Sequence, residues 1–421
     1  MFALTTVVVL FTLSYTFALF LVSRRKSGSL LPPPDHLFFV FVVPCLNEAV
    51  VIERSIERLL SLGGGDFAVL VIDDASTDDT ASIVERFESE RVWLLRRSLP
   101  DARKGKGQAL NAAYRHLLRD RSLPVPADQT VVCVLDADGR LADNALVEVA
   151  PYFRDPQAGA VQIGVRMYNA SEGLLPRLQD FEFVTYTEIF QRARQQLGSV
   201  GLGGNGQFTR LSALADLGER PWTDCLTEDL ELGVRLRMAG SRNHYCPRTY
   251  VSQQAVTKLR PLVRQRSRWF QGHLQCWRQI APVLRSRLPT RATFDLVFHL
   301  TSPALVLLLT PPMIAFVAGV AALGISAAVG TSLQSITADG GRVVILWYVL
   351  SFGLAPFYGF SYWLQARDTS LVKSVALAHL FSVYSYLWLL AGWRAVFRIV
   401  TGRRGWAKTA RTAEVASEPP T

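Results

Sequence analysis

The sequence predicts an α/β domain, a mostly parallel sheet between helices, joined to α-helical membrane segments and interfacial amphipathic helices. Three observations predict it: long uncharged apolar runs at both ends, acidic residues gathered in the middle, and a middle that alternates short apolar runs with helical periodicity. With 49% hydrophobic and 19% charged residues among 421, the chain is no disordered tail, collagen-like fibre or disulfide scaffold. Its 45 Lys plus Arg against 35 Asp plus Glu give a net charge of +10.

Residues 1–23 hold no charged side chain and run directly into Arg24, Arg25 and Lys26. About 20 apolar residues cross a bilayer core, so this stretch reads as a transmembrane helix. A signal peptide is the weaker reading, because no Lys or Arg precedes the run and no small-residue cleavage site stands before Leu31-Pro32-Pro33-Pro34. Positive residues favour the cytoplasmic side, which puts the N-terminus outside and the linker 24–35 inside.

Residues 36–257 then form a cytosolic domain. Strands are expected at Phe38–Leu46, Ala68–Ala75, Val92–Leu95, Thr130–Ala137 and Ala160–Met167, with helical patterns near 48–62, 78–90, 107–119 and 143–153. Runs as apolar as Val-Leu-Val-Ile belong to strands covered on both faces, as in a parallel sheet. Ligands bind outside the carboxyl ends of such strands. There the sequence places Asn47-Glu48, Asp73-Asp74 and Asp136-Ala137-Asp138. Crowded carboxylates need a cation between them, and Asp136 and Asp138, two apart on extended chain, can aim at one point; their oxygens suit Mg²⁺ or Mn²⁺ completed by a bound diphosphate. An acidic turn or helix cap is the plainer reading of each pair, and position after a buried strand argues against it for Asp136 and Asp138. Lys104-Gly105-Lys106 opens the next helix, where backbone N–H groups attract anions, or is simply a basic loop.

Residues 258–292 form a basic interfacial segment. From 258 to 291 there are nine Lys or Arg and no acid, interleaved with apolar residues, so the helix is expected in the headgroup region of the membrane. The adjoining membrane runs exclude nucleic acid as the partner. A further interfacial helix is expected over Glu172–Gln196. Uncharged runs at 296–338, 343–366 and 374–393 give about three membrane segments within 296–397, ahead of a basic cytosolic tail at 398–421. Three crossings would leave that tail outside, so either the first run, broken at Pro311-Pro312, passes twice or one segment is re-entrant or interfacial. The tail either anchors to phospholipid or folds back as a gating loop. Five cysteines without CxxC pairing read as buried reduced thiols, and six scattered histidines offer no zinc site.

Four motifs in order, Val71-Ile72-Asp73-Asp74, Asp136-Ala137-Asp138, Thr227-Glu228-Asp229 and Gln265-Arg266-Ser267-Arg268-Trp269, resemble those of family 2 glycosyltransferases. The resemblance is to the membrane-embedded processive synthases of chitin, hyaluronan, cellulose and poly-N-acetylglucosamine, and it covers residues 40–270. It implies a GT-A type nucleotide-sugar domain. Asn47, Glu48, Asp74, Lys104, Lys106 and Asp136 would then surround the donor, Asp136 and Asp138 would hold Mg²⁺ or Mn²⁺, and Asp229, beside Glu228, would be the general base. Gln265, Arg268 and Trp269 match the QxxRW motif at the junction of acceptor and diphosphate, and Gly204, Asn205 and Gln207 belong to the acceptor-side loop. The structural alternative for Thr227-Glu228-Asp229 is a helix N-terminus, which is compatible with catalysis.

Displacing UDP from a sugar requires the diphosphate to be neutralised and the acceptor hydroxyl deprotonated. One catalytic carboxylate means one in-line displacement, so an α-linked UDP-sugar donor gives a β-linked product. The expected function is thus polymerisation of a β-linked glycan onto a glycan acceptor, beside membrane lipid, and its export through the membrane helices. The small number of spans calls for a homo-oligomer or an accessory export subunit. The alternative is a non-processive enzyme adding one sugar to a lipid or short acceptor; a nucleotide-binding scaffold and a transporter are weaker readings.

Overall fold

The computed structural model describes residues 2–25, 28, 31–119, 123–308, 310, 314, 348–349, 351–366 and 368–402. Eight strands form one sheet in the order β3-β2-β1-β4-β7-β6-β8-β5. They are β1 Phe38–Cys45, β2 Asp66–Asp73, β3 Val92–Arg96, β4 Thr130–Val134, β5 Arg140–Leu141, β6 Ala158–Met167, β7 Gln207–Arg210 and β8 Arg242–Gln253. The first four pair in parallel, as does β6 with β8. The sheet is nevertheless mixed, because β7 runs antiparallel to both β4 and β6 and β5 antiparallel to β8.

Side-chain alternation explains both layers. On one face of β1, Phe39, Phe41 and Val43 pack with Ile52, Ile56 and Leu59 of α2 (Ile52–Leu60). On the other, Val40 and Val42 meet Leu110, Ala113 and Leu117. Those belong to α4 (Lys106–Arg119), which follows α3 (Thr80–Glu85). A strand buried on both faces has no polar side to show, which is why β1, β2 and β4 read as unbroken apolar runs. The helical pattern at 143–153 becomes α5 (Ala145–Val149) followed by a 3₁₀ turn at Ala150–Arg154, where Pro151 enters.

The expected helix over 172–196 is α6 (Leu174–Thr185), a π-helical turn at Tyr186–Gln191, and α7 (Arg192–Leu197). After α8 (Leu211–Ala215) comes α9 (Glu228–Met238), then the basic segment as α10 (Leu259–Gln275) and α11 (Ile280–Arg285). At the amino end, α1 (Phe2–Ser23) is a single helix. At the other end stand α12 (Thr290–Leu307), α13 (Ala355–Gln365), α14 (Leu371–Tyr384) and α15 (Leu387–Val400).

Among the described residues one stretch, Leu371–Val400, is long and apolar enough to cross a membrane, and Val7–Ser23 is a shorter apolar helix. The three-segment count expected for 296–397 is therefore not reproduced. The run at 374–393 falls inside the qualifying stretch, α13 covers only part of 343–366, and most of 296–338 lies outside the described residues, as does the tail from 403.

Candidate active site

The carboxyl ends of β1, β2 and β4 open into one cavity of about 640 Å³. Asp74 follows β2, its N–H donating to the Cys45 carbonyl at 2.9 Å. Its carboxylate accepts from the Arg97 guanidinium and, at 3.1 Å, from the Arg103 N–H. Burial nevertheless holds the Asp74 carboxyl above its ordinary range, with the Arg97 charge opposing. Asn47 and Ala75, at φ 55° and 61°, turn the chain sharply beyond β1 and β2; such backbone strain in non-glycine residues gathers at functional sites.

Lys106, the first residue of α4, donates at 2.6 Å to Asp136 Oδ1 and at 2.6 Å to the Gly204 carbonyl. Burial works to discharge this ammonium, but Asp136, Glu228 and Asp229 together keep its pKa raised. The loop after α7 is woven into the end of β4: Asn205 Oδ1 accepts from the Asp136 N–H at 3.1 Å, and Asn205 Nδ2 donates to Gln253 Oε1 at 2.8 Å. A side chain at Gly204 would begin 3.1 Å from Asp229 Oδ2 and 3.2 Å from Lys106 Nζ, so glycine leaves that junction open. Gly206, at φ 68°, would drive a Cβ to 2.7 Å from Ile163.

Glu228 and Asp229 begin α9, where acids suit the helix dipole. Both line the cavity. Burial and the neighbouring Asp229 charge push Glu228 up to about 7, against the pull of Lys106 and Arg268, and burial also raises Asp229. Asp229 Oδ1 accepts from the Leu230 N–H at 2.8 Å. Gln265, Arg268 and Trp269 of α10 form the facing wall. Gly272 lets α10 lie directly on the start of α9: a Cβ there would stand 2.7 Å from the Thr227 backbone nitrogen. The buried thiols Cys225 and Cys276, 3.6 Å apart, fill the same seam.

Most predicted residues thus converge, with four exceptions. Lys104 is exposed and paired with Asp101 at 3.2 Å, away from the cavity wall. Asn47 spends its Oδ1 on the Thr77 N–H at 2.7 Å, and Gln207 Nε2 donates to Thr209 Oγ1 at 3.0 Å inside the sheet. Asp138 is 1% exposed behind the wall, its Oδ2 accepting from the Gln254 N–H at 2.9 Å. The separation has a physical cause: the chain turns at Ala137–Asp138, closed by the Gly139 N–H on the Asp136 carbonyl at 2.7 Å, so Asp138 loses the face that extended chain would share with Asp136, and a loop lysine is free to find a nearer acid.

Two groups escaped the sequence reading. Glu182 of α6 accepts from Arg266 at 2.6 Å, from the Tyr384 hydroxyl at 2.9 Å and from Trp388 Nε1 at 2.9 Å, binding α10 to α14 and α15. Its signal was an acid within an expected interfacial helix. Beyond the acids the cavity continues past Tyr186, Arg194, His273 and His299 to Thr16, Phe298, Pro303, Val306 and Tyr358 of α1, α12 and α13.

Residues 33–272 match the family described as Glycosyltransferase like family 2. A beta-monoglucosyldiacylglycerol synthase of Nostoc sp. is 34% identical over 304 residues, 67% of this chain and 61% of that protein. A poly-beta-1,6-N-acetyl-D-glucosamine synthase of Staphylococcus epidermidis is 26% identical over 275 residues, 64% of this chain and 63% of that protein. The chain thus spans less than two thirds of the length of these curated relatives. In fold it is similar to a mannosyltransferase from Pyrobaculum calidifontis in complex with GDP-Man and Mn²⁺, at a TM-score of 0.57 and 21% identity, covering 91% of this chain and 99% of that one. With more than half its length matched by the family, this chain belongs to the family 2 glycosyltransferases and is an enzyme of that class.

Proposed function

We propose that the chain transfers a single sugar from an α-linked UDP-sugar to the hydroxyl of a neutral diacylglycerol-type lipid, with inversion, at the cytosolic face of a membrane. The observation that carries this reading is the continuity of the cavity: Asp74, Lys106 and Asp136, which we assign to the donor, share it with Phe298, Pro303 and Val306 of α12, Tyr358 of α13 and the threonines Thr12 and Thr16 of α1. A lipid entering from those helices presents its hydroxyl to Asp229. The proton passes to the Asp229 carboxylate, the freed oxygen forms a bond to the anomeric carbon, and the bond from that carbon to the diphosphate oxygen breaks. Lys106 and Arg268, both in the cavity wall, would neutralise the charge that gathers on the leaving diphosphate.

The residues present fit Mg²⁺ or Mn²⁺. Asp136 turns a carboxylate to the cavity, Asp138 lies two residues on, and the Lys106 ammonium rests on Asp136 where positive charge is called for. Asp136 would hold the ion, which would help neutralise the diphosphate; Asp138, whose Oδ2 accepts from the Gln254 N–H behind the wall, would have to turn its carboxylate to join it.

Polymerisation is the second reading, favoured by Gln265, Arg268 and Trp269 in the wall and by the N-acetylglucosamine polymer named for one relative. Single transfer to lipid requires no export path, and so no accessory subunit. With purified full-length protein, UDP-glucose and Mg²⁺ or Mn²⁺, release of UDP should rise at least tenfold when diacylglycerol is added to phosphatidylcholine vesicles. Release that ignores the lipid, accompanied by a lengthening glycan, would contradict it.

The raised carboxyls fix the pH dependence. A base must be ionised, and burial holds the Asp229 carboxyl above its ordinary range, so kcat/KM should fall on the acid side, losing up to about tenfold per pH unit, through a limb that lies above the usual carboxylate range. Lys106 favours the ionised form of both acids, so Lys106→Met should move that limb to higher pH. A pH profile of UDP release in lipid vesicles checks both.

A further inference from the structure

Between the acids and the apolar helix walls lies a polar collar that the transfer step itself does not use. Asp295 of α12 is completely buried and fully engaged: Arg194 Nε donates to its Oδ2 at 3.0 Å, Ser199 Oγ to the same oxygen at 2.7 Å, and Tyr15 OH to its Oδ1 at 2.8 Å. Arg194 also donates from Nη1 to the Tyr186 hydroxyl at 2.9 Å, and Tyr186 OH stands 3.4 Å from His299 Nε2. A guanidinium can only donate, so the Tyr186 oxygen accepts from Arg194 and its own proton is available to His299 Nε2. That arrangement, assigned from the network, places the imidazole proton on Nδ1. His299 lines the cavity and is 7% exposed as a residue, and its Nδ1 is buried with no hydrogen-bond partner among the described residues. A buried donor without an acceptor costs stability unless a ligand supplies one. The π-helical turn that carries Tyr186 is a second departure from regular structure at the same place.

We propose that Tyr186 and His299 form the headgroup subsite of the acceptor, with His299 Nδ1–H donating to an oxygen of an uncharged glycerol-based lipid. This rests on the lipid-acceptor reading above. The subsite selects a neutral head because its cation is already neutralised: Arg194 is paired with Asp295, so among the collar residues Tyr186, Arg194, His273 and His299 no counter-charge remains for a lipid phosphate. His299 is a positioning residue, and its removal raises the KM for lipid and leaves the chemistry at the donor intact.

The test uses full-length protein in vesicles, with diacylglycerol or a polyprenyl phosphate as acceptor and UDP release without acceptor as the control. His299→Phe keeps a ring of similar bulk but no donor and should raise the diacylglycerol KM about tenfold, the size of one neutral hydrogen bond, with acceptor-free UDP release within twofold of the wild type. His299→Asn, whose amide nitrogen can stand in for Nδ1, should recover at least half of the lost affinity on a logarithmic scale. Should His299→Phe not fold, Tyr186→Phe, which removes the hydroxyl that fixes the tautomer, should raise the same KM about threefold. An unchanged KM in the variant that folds, an equal loss in acceptor-free release, or wild-type glycosylation of polyprenyl phosphate as efficient as that of diacylglycerol would overturn the assignment while leaving lipid transfer standing. A wild type that extends a glycan and ignores both lipids would overturn the lipid reading and the subsite with it.

Discussion

Asp229→Asn lowers the rate of sugar transfer by a factor of about 10²–10⁴, the usual contribution of a positioned general base. Asparagine keeps the shape of the side chain and an oxygen to accept from the Leu230 N–H, but it has no basic electron pair with which to take the acceptor proton. The loss should fall on kcat. UDP binding should be nearly unchanged, because Asp74 and Lys106, which the proposal assigns to the donor, are untouched. UDP release at saturating donor and lipid, set beside equilibrium binding of UDP, checks both halves. Glu228→Gln is the companion measurement: burial and the Asp229 charge push Glu228 up to about 7, so Asp229 ionises first beside a protonated Glu228, and a neutral glutamine there should cost much less rate than Asp229→Asn. A rate for Asp229→Asn within threefold of the wild type would remove Asp229 as the base.

Glu182→Ala destabilises the folded protein by about 3–5 kcal/mol, the cost of leaving one member of a buried ion pair alone. Arg266, 2% exposed at its side chain, loses its carboxylate, and Tyr384 and Trp388 lose the acceptor that joins α14 and α15 to the catalytic side of the molecule. Arg266 also stacks over Trp269, its guanidinium carbon 4.1 Å from the ring centroid, so the damage should reach the QxxRW wall. The thermal midpoint in detergent should fall by several degrees. Replacing both partners by methionine should recover much of it, since an apolar pair of similar bulk leaves no charge unpaired. Equal destabilisation by the single and double replacements would show that the ion pair is not what fastens these helices.

The parallel half of the sheet was legible because β1, β2 and β4 are buried on both faces and therefore carry apolar runs that no surface strand would have. Strand β8 was not. Its burial alternates irregularly along Arg242–Gln253 and its pairing with β6 is broken by a register shift, so no clean period of two survives. Strand β7 is four residues long and β5 only two, too short for any periodicity to show. In the site, Asp74, Asp136, Asp229, Arg268 and Trp269 stood out because each lies at a strand end or within a spaced motif. Glu182, Asp295 and His299 did not, because their partners lie 84, 101 and 113 residues away in the chain, and only folding brings them together. The membrane portion was the least legible: a window of uncharged residues gives the length of an apolar run, whereas tilt, prolines within a helix such as Pro303 of α12, and packing against the rest of the chain decide whether it crosses.

The account's central claim is that one cavity delivers a membrane lipid to the sugar donor for a single transfer. Radiolabelled UDP-glucose, supplied to the full-length protein in vesicles containing diacylglycerol, tests it through the number of sugars carried by each product molecule over time. The account predicts one sugar per lipid at every time point, in a product that partitions into organic solvent. A water-soluble ladder that lengthens with time, or a high-molecular-weight product from the first minutes, would contradict it.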